Sequence, residues 1–215
     1  MKLNKKISII IAIFLFLGIG TSFVFKKADT TLNTRHLSMK LTDEWQNASD
    51  NDKIEKLKQR SKKHFGTIEE AAKEFKYQIK KPSNTYNRKL LGVFVAKAPQ
   101  GEEGNEEILA LYEKGLYIVE VPVDTQPDYI TLVQQMNEDK KSGALKSDKV
   151  PTLVDINGFS GMGVEAGYNE SDNQQYLRPG FVQWYQNGAY YNVFGGKDLT
   201  LSDLIKVAES MENVN

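Results

Sequence analysis

The chain has 215 residues, with 28 basic side chains, 28 acidic side chains and no cysteine. This length accommodates one domain with additional segments, and the absence of cysteine excludes disulfides, thiol chemistry, cysteine-ligated zinc and a lipid-modified cysteine anchor. Residues 1–27 hold five lysines and no acid, so the remainder carries 23 basic and 28 acidic residues. A mildly acidic domain lacks the basic surface that nucleic acids require, so nucleic acid is excluded as a partner.

Residues 7–25 form an apolar run without charge, long enough to cross a bilayer as a helix. Two interpretations are open. A signal peptide would be cleaved near the small residues 20–22, whereas an uncleaved anchor would continue to Lys26 and Lys27. We favour the anchor because the apolar run continues past the cleavage position. In both cases the lysines before the run keep the amino end inside, and the rest of the chain lies outside the membrane.

Residues 28–65 are polar and are predicted to form a partly helical stalk. Acidic residues follow Ser49, and lysines and arginine come later, an order that suits the dipole of a helix. The apolar side of this helix contains only Ile54 and Leu57. We therefore divide the chain into an anchor or signal peptide (1–27), a stalk (28–65) and an extracytoplasmic domain (66–213).

The first half of that domain begins with a capping box, Thr67 followed three residues later by Glu70, which predicts a short helix. A brief strand at Tyr77–Ile79 is expected to end at Pro82. Alternating apolar residues then predict three longer strands, with a tight turn at Lys114–Gly115 between the last two. These strands lie near Leu91–Val95, Ile108–Tyr112 and Tyr117–Val123.

The middle of the domain combines a helix, a hairpin and a loop. Residues 128–141 predict a helix with Ile130, Val133 and Met136 on its apolar side. Asn157–Gly158 is typical of a two-residue hairpin turn, and ideal pairing places Asp155 opposite Ser160. The polar stretch Gly167–Pro179 is predicted to be a long loop.

The closing stretch, Phe181–Met211, combines a second hairpin with a helix. Asn187–Gly188 predicts a type I′ turn, because both positions of that turn need positive φ. Thr200 is a helix N-cap with Asp203 three residues later, and Leu201, Leu204, Ile205 and Ala208 follow at helical spacing. On the hairpin, one face is predicted to carry Val182, Trp184, Tyr191 and Val193, and the other Phe181, Tyr185, Tyr190 and Phe194.

Both faces of this hairpin are apolar or aromatic, so we expect it to lie inside the sheet, covered on both sides. Core packing is therefore the favoured role of its aromatic residues. The alternative is a partner or ligand surface. Its candidate residues are Tyr185, Tyr190, Phe181, Phe194 and Tyr176 in the neighbouring loop.

Together these elements predict an α+β domain, a curved antiparallel sheet of about seven strands packed on two or three helices, preceded by an N-terminal transmembrane helix.

Residues with catalytic or metal-binding chemistry are few. The histidines, His36 and His64, both lie in the predicted stalk, so no zinc site is expected and no base is available to activate Ser160. Residues 169–173 are rich in oxygen ligands, but their spacing matches no calcium loop, and a solvated loop is favoured. We predict no catalytic, cofactor or metal site.

Three segments carry a family resemblance. They are the opening helix TIEEAAKEFKYQIKKP, the hairpin ILALYEKGLYIVEV and the closing VQWYQNGAYYNVFGGKDLTLSDLIKVAES. Over Thr67–Met211 the chain resembles the family called domain of unknown function 4367 (DUF4367). The resemblance implies a domain outside the cell in Gram-positive bacteria, behind one membrane helix. That family has no established catalytic residues to carry over.

The sequence therefore predicts a single-pass membrane protein whose outer domain binds a protein or ligand of the cell envelope and is not an enzyme. One alternative is a carrier or sensor of lipid or another apolar ligand, held by inward aromatics, namely Trp184, Tyr191, Phe194 and Tyr117. The other is an envelope enzyme with an unfamiliar site. No cofactor is expected.

Overall fold

The computed structural model describes residues 45, 47–75, 78–97, 106–123, 126–171, 174–196 and 198–214, without the side chains of 97, 169, 171 and 174–176. Four helices lie in these ranges: α1 (Asp50–Arg60), α2 (Ile68–Ala72), α3 (Tyr129–Ser142) and α4 (Leu201–Glu209). The first six strands are β1 (Lys63–Phe65), β2 (Lys80–Pro82), β3 (Leu90–Lys97), β4 (Glu106–Tyr112), β5 (Tyr117–Pro122) and β6 (Thr152–Ile156). The other six are β7 (Phe159–Val164), β8 (Gly167–Ser171), β9 (Gln174–Arg178), β10 (Phe181–Gln186), β11 (Ala189–Phe194) and β12 (Met211–Asn213).

An antiparallel sheet of eight strands dominates the fold, in the order β1-β3-β4-β5-β11-β10-β7-β6. Two further sheets of two strands each pair β2 with β12 and β8 with β9. The α+β class and the antiparallel pairing are thus confirmed, with one strand more in the main sheet than the predicted seven. Among the described residues no helix is long and apolar enough to cross a membrane, and the predicted span at 7–25 lies outside those residues.

Both predicted asparagine-glycine hairpins form with the expected register. Asn187 and Gly188 have φ of 51° and 84°, the positive values that a type I′ turn needs. Trp184 consequently pairs with Tyr191, and Tyr185 with Tyr190. The first hairpin likewise places Asp155 opposite Ser160.

Helix starts are set by local capping. Thr67 and Thr200 each form the complete capping box, with Glu70 and Asp203 as the returning acids. Ser49 caps α1 through its hydroxyl, which accepts a hydrogen bond from the backbone N–H of Asp52. These three starts confirm the sequence prediction.

The main sheet is covered on both faces, because its central strands are apolar on both sides. The face that we call the α3 face packs against α1 and α3, and the buried residues there include Leu57, Leu132 and Met136. The face that we call the α4 face packs against α2, α4 and the β2–β12 sheet, through residues such as Ile68 and Leu204. Strand alternation sends successive side chains of each central strand to opposite faces.

Four details of the sequence prediction differ in the structure. Ile130 is exposed, with 54% of its surface accessible, because Tyr129 takes the buried position at the start of α3. The stretch predicted as a polar loop, Gly167–Pro179, instead forms β8 and β9. The brief strand expected at Tyr77–Ile79 lies at Lys80–Pro82, where it pairs with β12.

The fourth difference concerns the predicted stalk. Leu57 is fully buried against the α3 face, and Trp45 lies in the same cluster. Strand β1, also within residues 28–65, pairs with β3 at one edge of the main sheet. Both α1 and β1 are therefore parts of the fold that the rest of the domain packs against.

Candidate ligand-binding site on the α3 face

Four of the five residues predicted as a partner or ligand surface lie together on the α3 face. Phe181 and Phe194 are buried, with ring centroids 5.7 Å apart. Tyr185 and Tyr190 meet edge to face at 6.0 Å, and Tyr185 is only half-buried. The fifth, Tyr176, belongs to β9, and its side chain lies outside the described part of the structure.

The aromatic residues named for the apolar-carrier alternative do not share one surface. Tyr117 stacks on Phe194 on the α3 face, with ring centroids 4.6 Å apart and planes at 13°. Trp184 and Tyr191 stack on each other at 5.1 Å on the α4 face. The four residues divide between the two faces because successive side chains of β10 and β11 alternate between them.

Polar side chains also lie on the α3 face, in the middle of the apolar residues. Gln183 and Asn192 are both 97% buried, and Gln183 Nε2 donates a hydrogen bond of 2.7 Å to Asn192 Oδ1. The carbonyl oxygen of the glutamine, Gln183 Oε1, has no hydrogen-bond partner in the part of the chain that the structure describes. This pair occupies the row of the sheet next to Tyr185 and Tyr190.

Three tyrosine hydroxyls on the same face have no hydrogen-bond partner among the described residues. They belong to Tyr117, Tyr129 and Tyr190. A buried polar group without a hydrogen bond destabilises a protein by roughly 1–3 kcal/mol, and the great majority of such groups in folded proteins are paired. Four unpartnered polar atoms on one face therefore mark a place that a bound molecule can complete.

Tyr129 and Tyr190 lie near each other on two different elements, α3 and β11. Tyr129 is the first residue of α3, whose start is capped by the carboxylate of Asp128. Burial raises the pKa of Tyr129, and the proximity of Tyr190 adds to this increase. Burial also raises the pKa of Tyr117 and of Tyr190. All three phenols therefore remain protonated at neutral pH, so each can donate and accept a hydrogen bond.

The α4 face contains a buried ionisable cluster around Glu120. Both carboxylate oxygens of Glu120 accept hydrogen bonds from the backbone N–H of Lys80, at 3.1 and 3.3 Å. Burial raises the pKa of Glu120 to about 8, and these contacts with Lys80 only partly oppose it. The ammonium of Lys80 donates to Gln186 Oε1 at 2.6 Å and lies 5.5 Å from the ring of Tyr191, while burial lowers its pKa.

Tyr129, Gln183 and Glu120 are not among the residues that the sequence predicts for a site. Gln183 stands two residues from both Phe181 and Tyr185, so alternation alone places it on their face. Glu120 has the same kind of signal: it occupies a central strand that must be covered on both sides. The burial of Tyr129 could not be predicted in this way, because which side of a helix is buried depends on the surface that the helix packs against.

Within the described ranges, no group of three or more histidine, cysteine, aspartate or glutamate residues is arranged to hold a metal ion. Residues 172 and 173, in the stretch considered for calcium, lie outside those ranges.

The fold defines an antiparallel α+β domain whose central sheet is buried on both faces and has polar groups inside each. Residues 111–211 match the family described as Domain of unknown function (DUF4367), and this match confirms the family resemblance for that part of the chain. The match runs from β4 to β12 and includes all the polar residues of the α3 face named above, whereas the opening helix of the sequence resemblance precedes it. No curated protein and no solved structure matches the chain.

Proposed function

We propose that this protein is a non-catalytic binding domain, tethered to the membrane by residues 7–25 and exposed on its outer face, where it binds a ligand or protein of the cell envelope. The observation that carries this proposal is the set of buried, unpartnered polar atoms on the α3 face, at Tyr117, Tyr129, Gln183 and Tyr190. A bound molecule that supplies their hydrogen bonds would remove the energetic penalty of burying them unpaired.

The chemistry of these groups favours binding over catalysis. A general base must accept a proton near the working pH, whereas burial raises the pKa of the three phenols above the usual tyrosine value. The amide of Gln183 does not titrate. Such groups recognise and orient a molecule through hydrogen bonds but do not abstract its protons.

The outer location rests on the amino-terminal sequence. Its apolar run has the length of a membrane span, and the lysines before it outnumber those after it. Protease treatment of intact cells tests the location directly. We expect the domain to be cleaved without lysis, and protection until lysis would contradict an outer location.

Co-purification tests the binding function. The full chain is released from its membrane in nanodiscs and analysed by native mass spectrometry, followed by solvent extraction of bound molecules. A stoichiometric small molecule or one co-purifying envelope protein would support the proposal. A control variant, Tyr168→Phe, removes an exposed hydroxyl and should retain the bound species, whereas the double variant Tyr129→Phe/Tyr190→Phe should lose a small molecule.

A carrier of apolar ligands is the second candidate function. It is favoured by the stack of Tyr117 on Phe194 and by Phe181 beside it, which line the α3 face next to the polar atoms. The same extraction separates the two candidates. A lipid in the extract favours the carrier, and a protein partner with no extracted small molecule favours the tethered binding domain. An empty protein with no partner would contradict both.

A further inference from the structure

On β10 and β11, the polar groups of the α3 face and its phenylalanine rings are separated along the strands. Tyr190, Asn192 and Phe194 follow each other at two-residue intervals on β11, so each step is about 7 Å. Gln183 pairs with Asn192, and Phe181 with Phe194. The hydroxyl of Tyr190 and the amide of Gln183 therefore lie toward the Asn187–Gly188 turn, and the phenylalanine rings lie toward the other end.

Resting on the proposed function, we propose that the ligand is a small uncharged molecule that joins an apolar body to a hydroxyl or amide group. Its polar group would bond to Tyr129, Tyr190 and Gln183, and its apolar body would lie against Phe181 and Phe194. Two observations define this class: the hydrogen-bonding capacity of the unpartnered atoms and the charge of the surrounding side chains.

The hydrogen-bonding capacity requires an N–H or O–H group on the ligand. The unpartnered atom of Gln183 is its carbonyl oxygen, since its Nε2 donates to Asn192. Oxygens of this kind accept hydrogen bonds and cannot donate them. The protonated hydroxyls of Tyr129 and Tyr190 can take either role, so a single hydroxyl or amide group can satisfy all three residues.

The charge of the surroundings requires a neutral ligand. Three charged side chains are buried on this face, Lys53, Glu107 and Arg178, and each already interacts with other groups of the protein. Arg178 is held by two backbone carbonyls: its Nη1 donates to Pro179 O at 3.0 Å and its Nη2 to Glu165 O at 2.8 Å. Its guanidinium also lies 5.8 Å from the ring of Phe181. A charged ligand buried without a counter-ion is strongly disfavoured.

Access to this site is expected beside Tyr185. The other aromatic and amide side chains of the site on β10 and β11 are buried, whereas Tyr185 is half-buried and lies edge to face with Tyr190. The polar end of the site is thus also the end nearer to solvent.

The test uses the full chain in nanodiscs, labelled with 3-fluorotyrosine, with 1-hexanol and hexanoate as the two probes. These probes share an alkyl chain of the same length and differ in the charge of the polar group. The fluorine signals of Tyr129 and Tyr190 are assigned from the single phenylalanine variants, and the exposed Tyr86 is the control for non-specific binding of the probe to the protein. We expect hexanol to shift the signals of Tyr129 and Tyr190 saturably and to leave that of Tyr86 unchanged, and hexanoate to act at least tenfold more weakly.

Equal saturable shifts with hexanoate would overturn the inference that the ligand is uncharged. No saturable shift with hexanol at either tyrosine would overturn the assignment of the site. In that second case the proposed function still stands if the co-purification experiment recovers a protein partner, so the two failures are distinguishable.

The phenylalanine variants add a readout that a purely structural role would not give. Tyr129→Phe and Tyr190→Phe each remove an unpartnered hydroxyl, so the free protein should be as stable as the parent or more stable, while hexanol should bind at least several-fold more weakly. A variant that loses stability and binds hexanol normally would contradict the proposal, because its hydroxyl would then serve the fold alone.

Discussion

Gln183 and Asn192 face each other across β10 and β11, joined by a hydrogen bond of 2.7 Å in a row of the sheet that is otherwise apolar. Neither amide reaches bulk water, since each is 3% exposed. Their side chains therefore depend on one another for hydrogen bonding.

This dependence predicts strong coupling between the two positions. Asn192→Leu leaves the donor of Gln183 buried without an acceptor and should destabilise the protein by roughly 2–3 kcal/mol. The double variant Gln183→Leu/Asn192→Leu should lose clearly less than the sum of the two single losses. Urea unfolding followed by tryptophan fluorescence measures all three variants, and additive losses would show that the amides act independently.

Glu120 predicts a pH dependence of stability. Its pKa is raised from 4.5 to about 8 by burial, so the folded protein binds this proton more tightly than the unfolded chain. The protonated carboxyl group stabilises the fold fully below pH 4.5, and this stabilisation is lost progressively as the pH rises to about 8. The free energy of unfolding should fall by roughly 3–5 kcal/mol over this interval, since each pKa unit corresponds to about 1.4 kcal/mol. Urea unfolding at a series of pH values measures this change.

Two tyrosines that face Glu120 titrate outside this interval. The pKa of Tyr112 and of Tyr191 is raised, by burial first and then by the charge of Glu120, so both remain neutral. The variant Glu120→Gln retains an acceptor for the N–H of Lys80 and should flatten the profile between pH 5 and 8. The exposed control Glu209→Gln should leave the dependence of stability on pH unchanged. If this dependence persisted in Glu120→Gln, another titrating group would be its cause.

Close packing at Gly161, beneath the candidate site, leaves no room for a larger side chain. A methyl group at this residue of β7 would collide with the backbone carbonyl of Gln183 and lie 3.0 Å from the Cβ of Trp184. Because a backbone carbonyl cannot move aside as a flexible side chain can, Gly161→Ala should destabilise the protein by about 1–3 kcal/mol. Gly66→Ala, whose nearest neighbour is the carboxylate of Glu70 at 3.4 Å, is the matched control and should have a much smaller effect in thermal unfolding.

Removing the N-cap of α4 should cause a smaller loss of stability. The hydroxyl of Thr200 accepts a hydrogen bond of 3.2 Å from the backbone N–H of Asp203, and the carboxylate of Asp203 accepts one of 3.0 Å from the N–H of Thr200. Thr200→Ala removes the first bond and should reduce stability by about 1 kcal/mol. Ser202→Ala, an exposed position in the same helix, should change it by less than about 0.5 kcal/mol. Equal losses in the two variants would exclude the cap as the cause.

Local rules account for the parts of the fold that the sequence predicted. A type I′ turn is determined by two residues, and a capping box by two residues three apart, so Asn187–Gly188 and Thr200 could be interpreted without knowledge of their neighbours. The two-sided burial of the Phe181–Phe194 hairpin followed from its own composition. Strand alternation alone predicts that the four described residues of the candidate surface lie on one face of the sheet.

Elements whose state depends on distant partners could not be predicted in the same way. Strand β8 pairs with β9 and with the short segment around Ser147, away from the main sheet, and Tyr168 and Glu170 are exposed, so their sequence has the polarity of a loop. The burial of Tyr129 in place of Ile130 depends on how α3 lies on the sheet. The role of Glu120 depends on Lys80, which is 40 residues away in sequence.

The pairing of β2 with β12 also determines when the domain can be complete. Asn213 pairs with Lys80, which lies far from it in the sequence, and contacts of such long sequence separation close late in folding. The β2–β12 sheet, whose Lys80 bonds Glu120, can therefore form only after Met211–Asn213 have been synthesised. A ribosome-bound or truncated chain that ends before Met211 would leave the carboxyl group of Glu120 less shielded from water, so such a chain is expected to persist as a recognisable folding intermediate.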